Sequence, residues 1–65
     1  MNAFEPQVAP QGRYDTKATC RELGISRSTL TRYTKAGLIR PRHHKANMRP
    51  YFIGAEITRL WTMSV

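Results

Sequence analysis

The sequence predicts a small, mostly α-helical domain with three short helices and a two-stranded β hairpin. Three observations lead to this fold class. The 65 residues provide one small core, because a chain of this size buries only about 60% of the surface that its unfolded form exposes. Apolar residues recur at helical spacing in three separate segments. Two apolar, proline-bearing segments also flank a polar stretch, which is typical of a hairpin.

The chain is predicted to consist of an arm and one domain. Residues 1–13 carry prolines, glutamines and a glycine without periodic apolar spacing, which is typical of a flexible arm. The ordered domain is expected to span residues 14–65. Cys20 is the only cysteine, so no internal disulfide forms, and we expect a buried small side chain rather than a reactive thiol. With no signal or membrane-spanning pattern in the sequence, a cytoplasmic protein is expected.

Capping residues mark the first two helices. The side chain of Asp15 or Thr16 can accept a hydrogen bond from a free backbone N–H at the start of the first helix. Gly24 is expected to end this helix, because glycine is common just after the last helical turn. Ser26 is a good N-cap for a second helix, which closes at Gly37. Two short helices joined by a tight turn form the helix-turn-helix arrangement.

The second helix is predicted to be amphipathic. At about 100° per residue, Leu30 and Tyr33 fall on one side and pack inwards. The opposite side is polar and basic and faces solvent or a partner. Its members are Arg27, Ser28, Thr31, Arg32 and Lys35.

The segment after the second helix is predicted to form a hairpin, called here the wing (residues 38–52). Apolar residues and prolines lie on either side of the polar stretch at residues 43–48. Pro41 and Pro50 suggest edge positions, because proline cannot donate a ladder hydrogen bond. Together with the two helices, this hairpin predicts a winged helix-turn-helix.

A third helix is expected after Gly54, with an apolar stripe at helical spacing that includes Trp61 as a core anchor. The other members of the stripe are Ile57 and Leu60. Aromatic side chains can also stack on single-stranded bases, but core positions are favoured for all four candidates. These are Tyr33, Tyr51, Phe52 and Trp61.

Charge indicates the class of partner. Lys and Arg total 11 against 4 acidic residues, which gives a net charge of +7 and an isoelectric point near 10.6. No acid occurs between Glu22 and Glu56, so half of the chain is a cationic block that favours polyanions. The few acids are scattered, and neither a nucleophile motif nor a phosphate-cradling glycine loop is present. We therefore expect a DNA-binding protein, with no enzymatic activity and no cofactor.

The candidate site combines the second helix with the wing. Arginine can bind guanine bidentately, and serine and threonine hydroxyls can contact bases or phosphates. The basic wing suits the phosphate backbone or an adjacent minor groove; a solvated surface is the alternative for each residue taken singly. The wing candidates are Arg40, Arg42, His43, His44, Lys45 and Arg49.

Metal binding is not expected. His43 and His44 are adjacent, and neighbouring residues on a strand point to opposite faces. The only cysteine lies far away in the sequence, so no ligand set with metal-binding spacing is present.

A run of residues extends from the turn between the first two helices into the wing: Gly24, Ile25, Ser26, Thr29, Leu30, Tyr33, Gly37, Leu38, Ile39, Pro41 and Arg42. This run resembles the DNA-binding domain of MerR-type regulators, and Glu56, Ile57, Arg59 and Leu60 resemble the helix that follows the wing in that family. The resemblance covers residues 14–62 and implies a winged helix-turn-helix that binds duplex DNA, without the sensor domain of full-length regulators. Stand-alone versions resemble excisionases and the Cox-like and AlpA-like regulators of phages and integrative elements.

Three functions follow as hypotheses. The first is an excisionase or recombination directionality factor, or a phage-type regulator, that binds short DNA repeats and bends them. Its partners would be double-stranded DNA, further copies of the chain bound cooperatively and, for recombination, an integrase. The second is a regulator of a single promoter without a recombination role. The third is a small basic module that binds an acidic protein.

Overall fold

The computed structural model describes residues 3–64 as three α-helices and a three-stranded antiparallel sheet in the order β1-β3-β2. Residues 1, 2 and 65, which the predicted arm and domain include, lie outside the described residues. The elements in chain order are β1 (Arg13–Asp15), α1 (Thr16–Leu23), α2 (Arg27–Lys35), β2 (Arg42–His43), β3 (Pro50–Ile53) and α3 (Gly54–Ser64).

The ends of α1 and α2 are set by local capping, as predicted. A side-chain oxygen of Asp15 accepts a hydrogen bond from the backbone N–H of Ala18 at 2.7 Å. Gly24 ends α1 with a φ of 69°, a left-handed conformation that glycine adopts without a Cβ clash. The Oγ of Ser26 then accepts a hydrogen bond from the backbone N–H of Thr29 at 3.2 Å, which starts α2.

A second glycine closes α2. Gly37 has a φ of 76°, and its N–H donates to the carbonyl of Thr34 at 3.1 Å. The N–H of Leu38 reaches further back to the carbonyl of Tyr33 at 3.0 Å. This pair of bonds is the Schellman motif. Tyr33 and Leu38 also pack against the core, so the motif turns the chain from α2 towards the wing.

The sheet contains one strand more than the predicted two-stranded wing. The hairpin itself is present, with Arg42 paired to Tyr51. In addition, β1 pairs along the other edge of β3, with Tyr14 opposite Phe52. A strand of three residues is too short to show an alternating pattern, so the sequence alone did not indicate it.

The central position of β3 also changes the predicted role of one proline. Pro50 was expected on an edge strand, but it is the first residue of the strand that pairs on both sides. The register of β1 ends where Asp15 lies opposite Tyr51. Pro50 therefore has a strand neighbour only in β2, where it pairs with His43, and the first residue of a strand tolerates proline.

Residues 6–12, called here the strap, contact the domain along their length. Pro6 is buried and Val8 packs against the core. The backbone N–H of Gln7 donates to a carboxylate oxygen of Glu22 at 3.0 Å. These contacts were not anticipated by the expectation of a flexible arm over residues 1–13.

The strap supplies the hydrogen-bond acceptors that the start of α3 requires. The first N–H groups of a helix have no partner within the helix. The N–H of Gly54 donates to the carbonyl of Gly12 at 3.0 Å, and that of Ala55 donates to the carbonyl of Pro10 at 2.9 Å. Backbone carbonyls of the strap thus perform the capping that side chains perform for α1 and α2.

The core lies between the helices and one face of the sheet. Leu30, Ile57 and Leu60 were predicted to be apolar stripe residues, and all are buried. Trp61 and Tyr33 are half-buried and pack against the core rather than forming its centre. The complete buried cluster is Cys20, Leu23, Leu30, Ile39, Phe52, Ile57 and Leu60.

Gly54→Ala is expected to lower the free energy of unfolding by about 1–3 kcal/mol. A Cβ on Gly54 would overlap the carbonyl oxygen of Ala9, so the strap would have to move away from α3. Urea unfolding measures the change. Gly37→Asn serves as the control, because its site is open and left-handed and asparagine tolerates that backbone conformation. Equal stability of Gly54→Ala and the parent protein would contradict the described position of the strap.

Candidate nucleic-acid interface

The outer side of α2 is exposed over its whole length. Leu30 is 2% exposed, whereas the residues predicted for the opposite side are all exposed. The helix has no acid in its first turn, so three cations and two hydroxyl groups form an uninterrupted polar face. The exposed residues are Arg27, Ser28, Thr31, Arg32 and Lys35.

The tip of the wing is a tight turn, called here the wing turn (residues 44–49). The N–H of His44 donates to the carbonyl of Arg49 at 3.1 Å, and the N–H of Met48 donates to the carbonyl of His44 at 2.8 Å. The side-chain oxygen of Asn47 accepts from the N–H of Arg49 at 2.9 Å. These bonds hold Met48 at a φ of 57°, a left-handed conformation that costs a residue with a Cβ about 1–2 kcal/mol.

The two wing histidines lie on opposite sides of the hairpin, as predicted. His43 lines a groove together with Thr31 of α2. The ring of His44 lies 4.5 Å from the ring of Tyr51, measured between centroids. Within residues 3–64, no group of three or more potential ligands could hold a metal ion.

Tyr51 was predicted to be a core residue, and this prediction is wrong. Phe52, the next residue in β3, is buried in the core, so the alternation of side chains places Tyr51 on the other face. There it is half-buried between His44 and Arg13, whose guanidinium carbon lies 5.2 Å from the ring centroid. The arrangement is a cation–π contact.

A groove between α2 and the wing joins the two predicted halves of the site. Its volume is about 170 Å³. The walls are mostly apolar, with residues of α2 on one side and the β2–β3 hairpin on the other. The lining residues are Thr16, Leu30, Thr31, Thr34, Pro41, His43, Pro50 and Phe52.

Next to this groove lies a larger basic hollow, called here the basic pocket. Its volume is about 380 Å³ and it is lined by Asp15, Thr16, Lys17, Arg27, Arg49 and Pro50. Thr16 and Pro50 also line the α2–wing groove, so the two form one continuous surface. Cations from α1, α2 and the wing meet here, while Asp15, the single acid among the lining residues, accepts the capping hydrogen bond of α1.

Lys17 was not among the residues selected from the sequence. It is exposed in the first turn of α1 and shares the basic pocket with Arg27 and Arg49. The sequence did contain one feature that could have indicated Lys17: it lies two residues after the N-cap Asp15. The start of a helix is where backbone N–H groups can bind phosphate. The pairing of β1 with β3, which brings this end of α1 next to the wing, was not visible in the sequence.

Arg40 and Arg42 do not line this surface. They border a separate hollow of about 310 Å³, together with Glu56 and Arg59 of α3. The Oε2 atom of Glu56 is buried and has no hydrogen-bond partner among the described residues. The predicted wing residues are thus divided: His43 and Arg49 lie towards α2, and Arg40 and Arg42 lie towards α3.

Cys20 is a core residue, as predicted. It is 9% exposed and belongs to the buried cluster. Burial raises the pKa of its thiol above the ordinary value of 9.0, and nearby Arg27 opposes this change. The thiol therefore stays protonated at neutral pH, where nucleophilic chemistry would require the thiolate.

Comparison of the chain with protein-family profiles, with curated proteins and with solved structures finds no match. Among the helices described for residues 3–64, none has the length and apolar character needed to cross a membrane.

The thiol of Cys20 is expected to make stability depend on alkaline pH. Because the pKa is raised in the folded state, the native protein holds this proton more tightly than the unfolded chain does, and stability falls as the pH rises above 9.0. We expect the difference in unfolding free energy between the parent protein and Cys20→Ala to be constant at neutral pH and to shrink in that alkaline range. Urea unfolding of both proteins between neutral and alkaline pH measures it. A difference that is the same at every pH would contradict the raised pKa.

Proposed function

We propose that this protein is a winged helix-turn-helix protein that binds double-stranded DNA in a sequence-specific manner. The observation that carries the proposal is the basic pocket, in which Lys17, Arg27 and Arg49 come together from α1, α2 and the wing. Each residue belongs to a different part of the chain, so the surface is built by the fold. A concave basic surface beside an exposed helix suits a duplex backbone next to a major groove.

In this proposal, α2 is the recognition helix. A major groove admits one helix, and its exposed residues read base edges. Arg27 and Arg32 offer bidentate donors for guanine, and Thr31 offers a hydroxyl and a methyl group. All three are exposed. Ser28 and Lys35 complete the same face and bind base edges or phosphates.

The wing provides the second contact with the duplex. His43 and Arg49 lie on the side that faces α2, and Lys45 is exposed in the wing turn. A basic hairpin beside a recognition helix fits the backbone or the minor groove next to the bound major groove. DNA contacts by Arg40, Arg42 and His44 stay predictions, since these residues lie on other sides of the wing.

The resemblance to MerR-type DNA-binding domains supports a more specific role. Stand-alone domains of that type suggest an excisionase-like or Cox-like factor, or a phage-type regulator, that binds short repeats in the cytoplasm and bends the DNA. Copies of the chain would bind cooperatively side by side, and an integrase would be the partner in recombination. Regulation of a single promoter is the alternative within the same fold.

A second class of function is favoured by a separate observation. The hollow bordered by Arg40, Arg42 and Arg59 is basic and lies apart from the basic pocket. Such a surface suits an acidic segment of a partner protein. A chain that acts only as a protein-binding module would bind DNA weakly and without sequence preference, which separates this function from the first.

The proposal is tested by selecting bound sequences from a random duplex pool at near-physiological salt, followed by a band-shift titration on the enriched duplex. Enrichment of short direct repeats with stepwise, cooperative bands supports the architectural role. A single enriched site with one band supports a promoter regulator. Absence of any enriched motif, with binding that disappears as salt is added, would refute sequence-specific DNA binding.

Substitutions in the basic pocket are expected to separate base reading from phosphate binding. Arg49→Ala should reduce the slope of log K against log salt concentration by about 0.9, the value for one lost phosphate contact. Arg27→Ala should relax base preference by about 1–3 kcal/mol at one position. Band shifts on the selected duplex and on single-base variants, over a series of salt concentrations, measure both.

Arg59→Ala is the matched control for this pair, since it removes an exposed cation outside the basic pocket. We expect it to keep both the base preference and the salt dependence of the parent protein. If Arg59→Ala weakens binding as much as Arg49→Ala does, net charge rather than the described surface accounts for DNA binding.

A further inference from the structure

An apolar side chain lies at the exposed end of a basic hairpin. Met48 is 68% exposed, although it belongs to the wing turn of a strongly basic protein. Phe4 and Met63 are the other large apolar residues described as highly exposed, and they lie near the ends of the chain. Met48 is therefore the exposed apolar residue that the fold places beside candidate DNA-binding residues.

The backbone holds Met48 in a defined position. Its N–H donates to the carbonyl of His44 at 2.8 Å, and Asn47 accepts from the following N–H, that of Arg49, at 2.9 Å. The φ of 57° is one that glycine adopts freely and methionine rarely does. The hydrogen bonds of the closed turn therefore fix the backbone from which the exposed side chain of Met48 extends.

The surroundings of Met48 match one type of partner. Lys45 and Arg49 lie within the same turn and are exposed, and no acid occurs between Glu22 and Glu56. An apolar protein pocket would leave these cations without partners. The minor groove of DNA can accept both the cations and the apolar side chain, because phosphates line its edges and stacked bases form its floor.

We propose that Met48 inserts between base pairs from the minor groove and kinks the bound duplex. This inference rests on the proposed function, since it requires α2 to be seated in the adjacent major groove. Apolar side chains inserted in this way unstack a base step and bend DNA by about 20–90°. Lys45 and Arg49 bind the flanking phosphates while the methionine side chain enters the stack.

The test compares three variants on the duplex enriched by the selection described above, with a donor and an acceptor dye at its ends. Met48→Asn removes the apolar group, while asparagine still accepts the left-handed backbone. Met48→Leu keeps an apolar wedge at the same position. Met63→Asn is the matched control, since it replaces an exposed methionine in α3. Fluorescence anisotropy measures binding, energy transfer between the dyes measures bending, and thermal denaturation verifies that each variant is folded.

The parent protein, Met48→Leu and Met63→Asn are expected to bind and to raise energy transfer by bending the duplex. Met48→Asn is expected to bind, with energy transfer close to that of the free duplex. Bending by Met48→Asn equal to that of the parent would overturn the inference, as would loss of bending in Met48→Leu or binding by the parent without bending. Absence of duplex binding by the parent, seen by anisotropy, would instead refute the proposed function.

Discussion

The pairing of β1 with β3 holds the start of α1 beside the wing. Asp15 is both the last residue of β1 and the N-cap of α1, and it lies opposite Tyr51. The start of α1 is therefore fixed beside the wing, because β3 is also paired with β2. The basic pocket exists for this reason: Lys17 follows the cap by two residues, and Arg49 precedes β3 by one.

The same strand fixes the position of α3 and of the strap. β3 ends at Ile53 and α3 begins at the next residue, Gly54, so the helix starts where the strap passes. The carbonyls of Gly12 and Pro10 accept hydrogen bonds from the first two N–H groups of α3, and the first of these belongs to the buried Gly54, where an unpaired N–H would be costly. For a domain with a small core, these hydrogen bonds add contacts from residues that precede the predicted boundary at residue 14.

The parts of the fold that sequence reasoning predicted are those with local causes. Caps such as Asp15 and Ser26, and glycines such as Gly24 and Gly37, act within a few residues of where they occur, and all four take the predicted roles. The apolar stripe of α3 was likewise visible in the sequence as helical spacing of apolar residues. Trp61, however, packs against the buried core instead of lying within it. What the sequence did not reveal depends on distant partners: the β1 pairing, the docking of the strap, and the place of Tyr51 on the outer face of the sheet.

For the candidate site, the sequence indicated the cations of α2 and the wing, but it indicated neither Lys17 nor the arrangement of these side chains. The cations of the wing were taken as one set because they are close in sequence. In a strand, however, neighbouring side chains point to opposite faces, and the structure separates Arg42 from His43 in this way. A hairpin that lies along one duplex can offer that duplex only one of its faces together with its tip. In the proposed complex, a duplex seated against α2 and His43 would therefore leave Arg40 and Arg42 beside Arg59, where the three border a second basic hollow.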